Sequence, residues 1–323
     1  MTWTRLIRFI AEEDGKTYYG DCVTEGDIGL LYSRPAQIQA HPLQLNPDNS
    51  SISPLSHKDA HSIDRSQPPL TVRKLLSPLP QETVTTIRGL GLQYAPPGAD
   101  PSSSSSALKP PPIPCLFLKP TTTISGPGDE IIVPHHAKDE KNDYEVELCV
   151  VIGDKDCPPN TKEEDAMEYV AGLTVVNDVS SRGLCGKGGA GQWGMGKNYD
   201  SWCPIGPCIV NPSALKDHQS LEFSTKLNDK LVQKGNTRDL LVSVPKLIAS
   251  LSLGSTLSRH SLILTGSPVA IGRKAPTDTS EESPFLKDGD VVKCWVEGIG
   301  TLVNTVREEN DPQTMVKPYK AKL

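Results

Sequence analysis

Period-two alternation and short unbroken apolar runs dominate this chain, and helical spacing is rare. Near the N-terminus, residues 3–10, 17–19 and 29–32 read as short strands, with Glu13-Asp14-Gly15 as a turn after the first. Beyond residue 115 the strand signal strengthens, at 115–118, 144–152, 173–177, 222–227, 261–265 and 290–296. Asn228-Asp229 predicts a hairpin corner after the fourth of these. Two helices are predicted. One spans 161–171, opened by a capping box of Thr161 with Glu164 and closed at Gly172; the other spans 244–252. Strands do not alternate with helices of 10–15 residues, which excludes a doubly wound nucleotide fold. The pattern predicts a mostly β, α+β architecture whose strands wrap into a sandwich or distorted barrel.

Polar and Pro/Ser-rich residues 46–70 read as a connector, so residues 1–75 are expected to form a small accessory β domain. Residues 76–310 then form the main domain and 311–323 a tail. The segment 95–114, APPGADPSSSSSALKPPPIP, cannot supply a core face and predicts a surface loop over the main domain. No repeat of 20–50 residues is visible.

Composition narrows the partners. The 323 residues carry a formal charge of −6 and 5% aromatics, which argues against nucleic acid or an anionic membrane. No apolar run approaches the ~20 residues that cross a bilayer. The first residues lack a signal peptide's apolar region, so the cytoplasm is the expected compartment. Eight scattered cysteines with no zinc spacing read as reduced thiols.

One strand raises a chemical question. In YEVELCVVIG, 144–153, an apolar run starts with Glu145 and Glu147. Residues i and i+2 share a face, so the two carboxylates lie side by side, roughly 7 Å apart at Cα. Like charges this close raise each other's pKa, and a cation between them removes the penalty. E-x-E alone more often marks a solvent-washed strand end. A second apolar strand, however, also ends in an acid, Asp178 in LTVVNDVSSR. Three carboxylates at strand ends make a hard oxygen site suited to Mg²⁺, Mn²⁺ or Ca²⁺.

These stretches resemble the fumarylacetoacetate hydrolase superfamily, in the branch with a small N-terminal domain. The resemblance runs in order through FLKP (117–120), GPGDEIIVP (126–134), DYEVELCVVIG (143–153) and VAGLTVVNDVSSR (170–182). It continues through GQWGMGKNYDSWCPIGPCIV (191–210), ILTGSPVAIG (263–272) and LKDGDVVKCWVEGIGTLVNTV (286–306). It implies a twisted β roll, a homodimer, and a divalent metal held by Glu145, Glu147 and Asp178. It further implies that Lys197 and Ser267 orient the substrate, with Arg182, Lys119, Gln192 and Tyr94 near the site. The implied substrate is a small 2-oxo acid, dicarboxylate or 1,3-dicarbonyl that chelates the ion, which then stabilises an enolate. Carbon–carbon bond hydrolysis, decarboxylation and keto–enol tautomerisation share that enolate.

The sequence departs from the family at its lid. Where family hydrolases read G-x-N-Y-x-x-H-x-x-E, residues 91–100 read GLQYAPPGAD, with Pro97 at the histidine position and Asp100 at the glutamate position. Proline cannot serve as a general base, and the Pro-Pro-Gly run opposes a lid helix. Asp100 is the remaining candidate base. Hydrolysis, a tautomerase or decarboxylase acting on an oxo acid such as oxaloacetate, and a non-catalytic metal-binding scaffold all stay open. Gly189–Gly194 and Gly191–Lys197 match phosphate-loop patterns. Asn198 replaces the Ser or Thr such a loop needs, so these residues read instead as a loop carrying Gln192 and Lys197 over the metal. Asp139, Glu140 and Asp143 read as a solvated turn, and His135-His136 as a surface turn.

Overall fold

A computed structural model of the chain describes residues 3–45, 53–56, 61–95, 113–138, 140–186, 193–273 and 284–310. Strands predominate among them, in the mostly β arrangement expected, as a 12-stranded sheet, a five-stranded sheet and one two-stranded pair. Ten strands of the large sheet run in the order Thr17–Cys22, Gln39–Leu45, Leu70–Leu76, Arg5–Ala11, Cys203–Val210, Val170–Asn177, Val146–Ile152, Leu262–Leu264, Ile87–Gly91, Cys115–Lys119, and His61–Ile63 and Ile124–Ser125 pair with it off this path. Arg5 pairs with Val210, so the N-terminal strands extend the same sheet as those carrying the acids. The smaller sheet runs Lys230–Asn236, Glu222–Leu227, Val291–Val296, Gly300–Glu308, Glu130–Val133.

The strand Val146–Ile152 lies inside the large sheet, antiparallel to Val170–Asn177 on one side and to Leu262–Leu264 on the other. Both of its faces are covered. Leu148, Val150 and Ile152 join the larger core with Phe223, Val296 and Val306 of the smaller sheet. Cys149 and Val151 join a second core with Trp3, Leu6 and Ile205. A strand buried on both sides reads as an unbroken apolar run, as this one does. Its only polar side chain is Glu147, which shares a face with Cys149 and Val151.

The six predicted strands of the main domain are all present, with shifts of a few residues at their ends. Asn228 and Asp229 both have positive φ, 48° and 66°, and form the predicted corner between Glu222–Leu227 and Lys230–Asn236. The 244–252 helix is present as Val244–Leu251. Three expectations are corrected. Residues 29–32 do not form a strand: Ile28–Leu31 is a 3-10 turn capped by Asp27, whose Oδ1 accepts from the amides of Gly29 (3.0 Å) and Thr301 (2.8 Å). A Cβ on Gly29 would lie 1.6 Å from the Thr301 carbonyl oxygen, so the turn presses its backbone onto the neighbouring strand. The capping box of Thr161 and Glu164 does not form. The Thr161 hydroxyl donates to the Pro158 carbonyl at 2.7 Å, only a 3-10 turn spans Glu163–Tyr169, and Val170 already belongs to a strand. The connector 46–70 contains a short strand, His61–Ile63, paired with Gln39–Leu45.

Candidate active site

Sheet register brings the three acids together. Val146 pairs with Asn177 and Glu147 with Val176, and the ladder continues one step as the Asp178 amide donates to the Glu145 carbonyl at 2.9 Å. Glu145 therefore stands opposite Asp178, and the i+2 alternation puts Glu147 beside them. One oxygen from each of Glu145, Glu147 and Asp178 lies within 4.8 Å of the others, and all three residues are buried.

Buried carboxylates need compensating charge. Lys119 donates to Asp178 Oδ1 at 2.6 Å, and both side chains are fully buried. Lys197 bridges Glu145 Oε2 at 2.7 Å and Asp178 Oδ2 at 2.5 Å, and also donates to Ser180 Oγ at 2.6 Å. Arg182 reaches Glu145 Oε1 at 2.6 Å. Among the described residues Glu147 has no cation paired with it; its Oε2 accepts from the Gly266 amide at 2.6 Å. The titration shifts follow from this asymmetry. Burial pushes the Glu145 carboxyl up, but Arg182 and Lys197 together outweigh it and hold the group far below the usual carboxylate range. Burial, then the charges of Asp178 and Glu145, pushes Glu147 well above it. Burial alone would lower Lys197, but Asp178 and Glu145 raise it.

The donor set fits a hard divalent cation: three converging carboxylates, one of them short of positive charge, with an ammonium already bridging the other two. Glu145, Glu147 and Asp178 are the residues that can hold such an ion.

Glu145 and Glu147 open onto a cavity of about 280 Å³. Arg182, Lys197 and Ser267 also line it. The rest of its lining is largely apolar and includes Leu90, Leu92, Phe117, Trp193 and Cys185. Phe117 and Trp193 meet edge to face, with ring centroids 5.9 Å apart, and the Lys197 ammonium sits 4.5 Å from the Phe117 centroid. Gly91 makes room for the indole, since a Cβ there would lie 2.2 Å from the Trp193 ring.

Of the residues expected near the site, Glu145, Glu147, Asp178, Lys119, Arg182, Lys197 and Ser267 come together. Tyr94 lies close enough for the Glu147 charge to raise its phenol, after burial, and its ring packs edge to face on Phe223 at 5.7 Å. It is not among the cavity's lining residues. Gln192, Pro97 and Asp100 lie outside the described residues.

Asp143 corrects the solvated-turn reading. It is buried, and its Oδ2 accepts from Arg182 Nε at 2.7 Å and Arg273 Nη1 at 2.6 Å. Asp143, held by Arg273, braces Arg182 against Glu145. The signal was present in the sequence, because Asp143 extends the alternation of Glu145 and Glu147 by two residues. Arg273 and Gln233, both buried, have no comparable local signal. His135-His136 does form a surface turn, with His136 bonded to the Tyr199 hydroxyl at 2.9 Å.

Comparison with known proteins agrees with this geometry. A family profile described as fumarylacetoacetate (FAA) hydrolase C-terminal matches residues 87–307. A caffeoylpyruvate hydrolase of Neonothopanus nambi is 35% identical over 316 residues, covering 95% of this chain and 94% of that protein. The mitochondrial oxaloacetate tautomerase Fahd2a of Rattus norvegicus is 40% identical over 195 residues, which span 60% of this chain and 58% of that protein. The solved fumarylacetoacetate hydrolase of psychrophilic Exiguobacterium antarcticum superposes with a TM-score of 0.72 at 28% identity, over 95% of this chain and all of that one. With its carboxylate triad, its β architecture and a profile match over most of its length, the chain belongs to the fumarylacetoacetate hydrolase family of enzymes.

Proposed function

We propose that this protein is a divalent-metal-dependent hydrolase that cleaves the carbon–carbon bond of an acylpyruvate with an aromatic acyl group. The observation that carries this reading is the mixed lining of the cavity, where Glu145, Glu147, Lys197 and Ser267 stand with Leu90, Leu92, Phe117 and Trp193. The pyruvoyl half of such a substrate has the oxygens and the carboxylate that the polar groups accommodate. The arene matches the four apolar residues, none of which offers a cation to a second carboxylate. The caffeoylpyruvate hydrolase relative, aligned over nearly the whole chain, supports the same substrate class.

In this reading Glu145, Glu147 and Asp178 hold Mg²⁺ or Mn²⁺, which when bound stabilises negative charge on the substrate's enolate oxygen. Lys119 pairs with Asp178 and Arg182 with Glu145, which fixes both carboxylates in place. Lys197, whose three N–H groups go to Glu145, Asp178 and Ser180, stabilises the oxyanion by its charge, and Ser267 donates to the substrate carboxylate. Phe117 and Trp193 pack on the arene and exclude water from it. Cleavage joins a water oxygen to the acyl carbon, and the carbon–carbon electron pair passes to the three-carbon fragment, which is protonated to pyruvate. The other product is the aromatic acid.

A second reading, tautomerisation of an oxo acid such as oxaloacetate, is favoured by Pro97 and Asp100, which stand where family hydrolases carry the water-activating dyad. The relative named as an oxaloacetate tautomerase points the same way. Incubation of the Mg²⁺-loaded protein with benzoylpyruvate and with oxaloacetate separates the two. Hydrolysis gives one pyruvate and one benzoate per benzoylpyruvate lost. Faster enol–keto exchange of oxaloacetate with no pyruvate from benzoylpyruvate establishes the second reading and rejects the first.

A further inference from the structure

Gln233 lies on the outer strand Lys230–Asn236 of the smaller sheet, yet its side chain is only 1% exposed. Its carboxamide makes four hydrogen bonds. The oxygen accepts from the Val146 amide at 3.2 Å and the Thr225 hydroxyl at 2.8 Å. The nitrogen donates to Ser267 Oγ and to the Pro268 carbonyl, each at 2.9 Å. A primary amide has two lone pairs and two N–H groups suited to such bonds, so its inventory is complete. Its orientation is also determined: the Val146 amide can only donate and the Pro268 carbonyl can only accept, so a reversed carboxamide loses both bonds.

We propose that Gln233 is a positioning residue that aims the Ser267 hydroxyl proton into the cavity, toward the substrate's carboxylate. A hydroxyl has one proton and two acceptor sites. Gln233 occupies an acceptor site of Ser267, which leaves the proton to be donated elsewhere. Its one other bond among the described residues runs to the Pro268 carbonyl at 3.4 Å, a long contact, and Gln233 already satisfies that carbonyl at 2.9 Å. The proton is therefore available to an anion in the cavity that Ser267 lines. The same carboxamide holds Val146, the residue between Glu145 and Glu147, so one side chain sets the spacing between the carboxylate strand and the 266–268 loop. The inference rests on the reading of the cavity as a 2-oxo acid site. Without Gln233 the Pro268 carbonyl is unpaired and competes for the Ser267 proton.

The test is calorimetric and independent of turnover. Oxalate, which carries the adjacent oxygens of a 2-oxo acid enolate, is titrated into Mg²⁺-loaded wild type, Gln233→Met, Ser267→Ala and the double variant. Mg²⁺ is titrated separately into each. A hydrogen bond to a charged group predicts a loss of about tenfold in oxalate affinity for Ser267→Ala. Gln233→Met is expected to lose about the same, the double variant no more than either single one, and Mg²⁺ affinity to stay within about twofold throughout. Losses that multiply in the double variant, or Mg²⁺ affinity that falls in step with oxalate affinity, overturn the positioning role. Wild type that binds Mg²⁺ but not oxalate overturns instead the reading of the cavity on which it rests.

Discussion

Removing Lys119 probes the charge balance of the site most sharply. Lys119→Met keeps the length of the side chain and deletes its ammonium, which lies 2.6 Å from Asp178 with both side chains fully buried. Breaking a buried ion pair from one side destabilises by about 3–5 kcal/mol, because the remaining charge is left uncompensated. Asp178 keeps Lys197 at 2.5 Å, which places the expected loss at the lower end, about 3 kcal/mol. A chain of this length has an unfolding entropy of about 0.7 kcal/mol/K, so the melting temperature in chelator should fall by about 4 °C. At the proposed metal site Mg²⁺ would supply positive charge to the same carboxylate, so it should raise the melting temperature of Lys119→Met more than that of wild type. Scanning calorimetry of both proteins in EDTA and in excess Mg²⁺ provides the readout. A variant that melts within 1 °C of wild type in EDTA, or that gains no more from Mg²⁺ than wild type does, refutes the reasoning.

Other perturbations act on the apolar wall and on pH. Gly91→Ala places a Cβ about 2.2 Å from the Trp193 ring, so the indole must move; kcat/KM for benzoylpyruvate is expected to fall at least about tenfold relative to acetopyruvate. A parallel fall for both substrates would place Trp193 outside the arene's path. The raised Glu147 carboxyl gives a signed pH dependence in chelator. From its ordinary value of 4.5 upward, the folded protein holds a proton that the unfolded chain has released, so Glu147 lowers stability as pH rises until its own raised value is passed. Glu147→Gln lacks that titration, so wild type should lose stability relative to the variant as pH climbs from about 4.5. A constant difference between their melting temperatures across pH 5–8 contradicts the assignment.

Legibility differed from residue to residue for physical reasons. Strand periodicity is local, so the strands 222–227 and 290–296 and the Asn228-Asp229 corner were readable from their own residues. Glu145 and Glu147 were readable for the same reason, since alternation puts them on one face. Pairing Asp178 with them needed the register between two strands, which the family resemblance implied and which no single segment encodes. Asp143 was misread because a charged turn and a buried brace look alike until Arg273, 130 positions away, is placed against it. Gln233 was invisible because its four partners come from three other parts of the chain. The capping box at Thr161 failed for the opposite reason: the local signal was present, but the strand from Val170 claimed the residues a longer helix would have used.

The central claim, that Glu145, Glu147 and Asp178 form one divalent-metal site on which turnover depends, is tested most directly by titrating Mg²⁺ and Mn²⁺ into chelator-treated wild type and Glu147→Ala, with the benzoylpyruvate assay run on the same samples. The account predicts one saturable site in wild type, activity restored in proportion to its occupancy, and both binding and turnover lost in Glu147→Ala. Unchanged Mg²⁺ affinity in Glu147→Ala, or full turnover in excess EDTA, would contradict it.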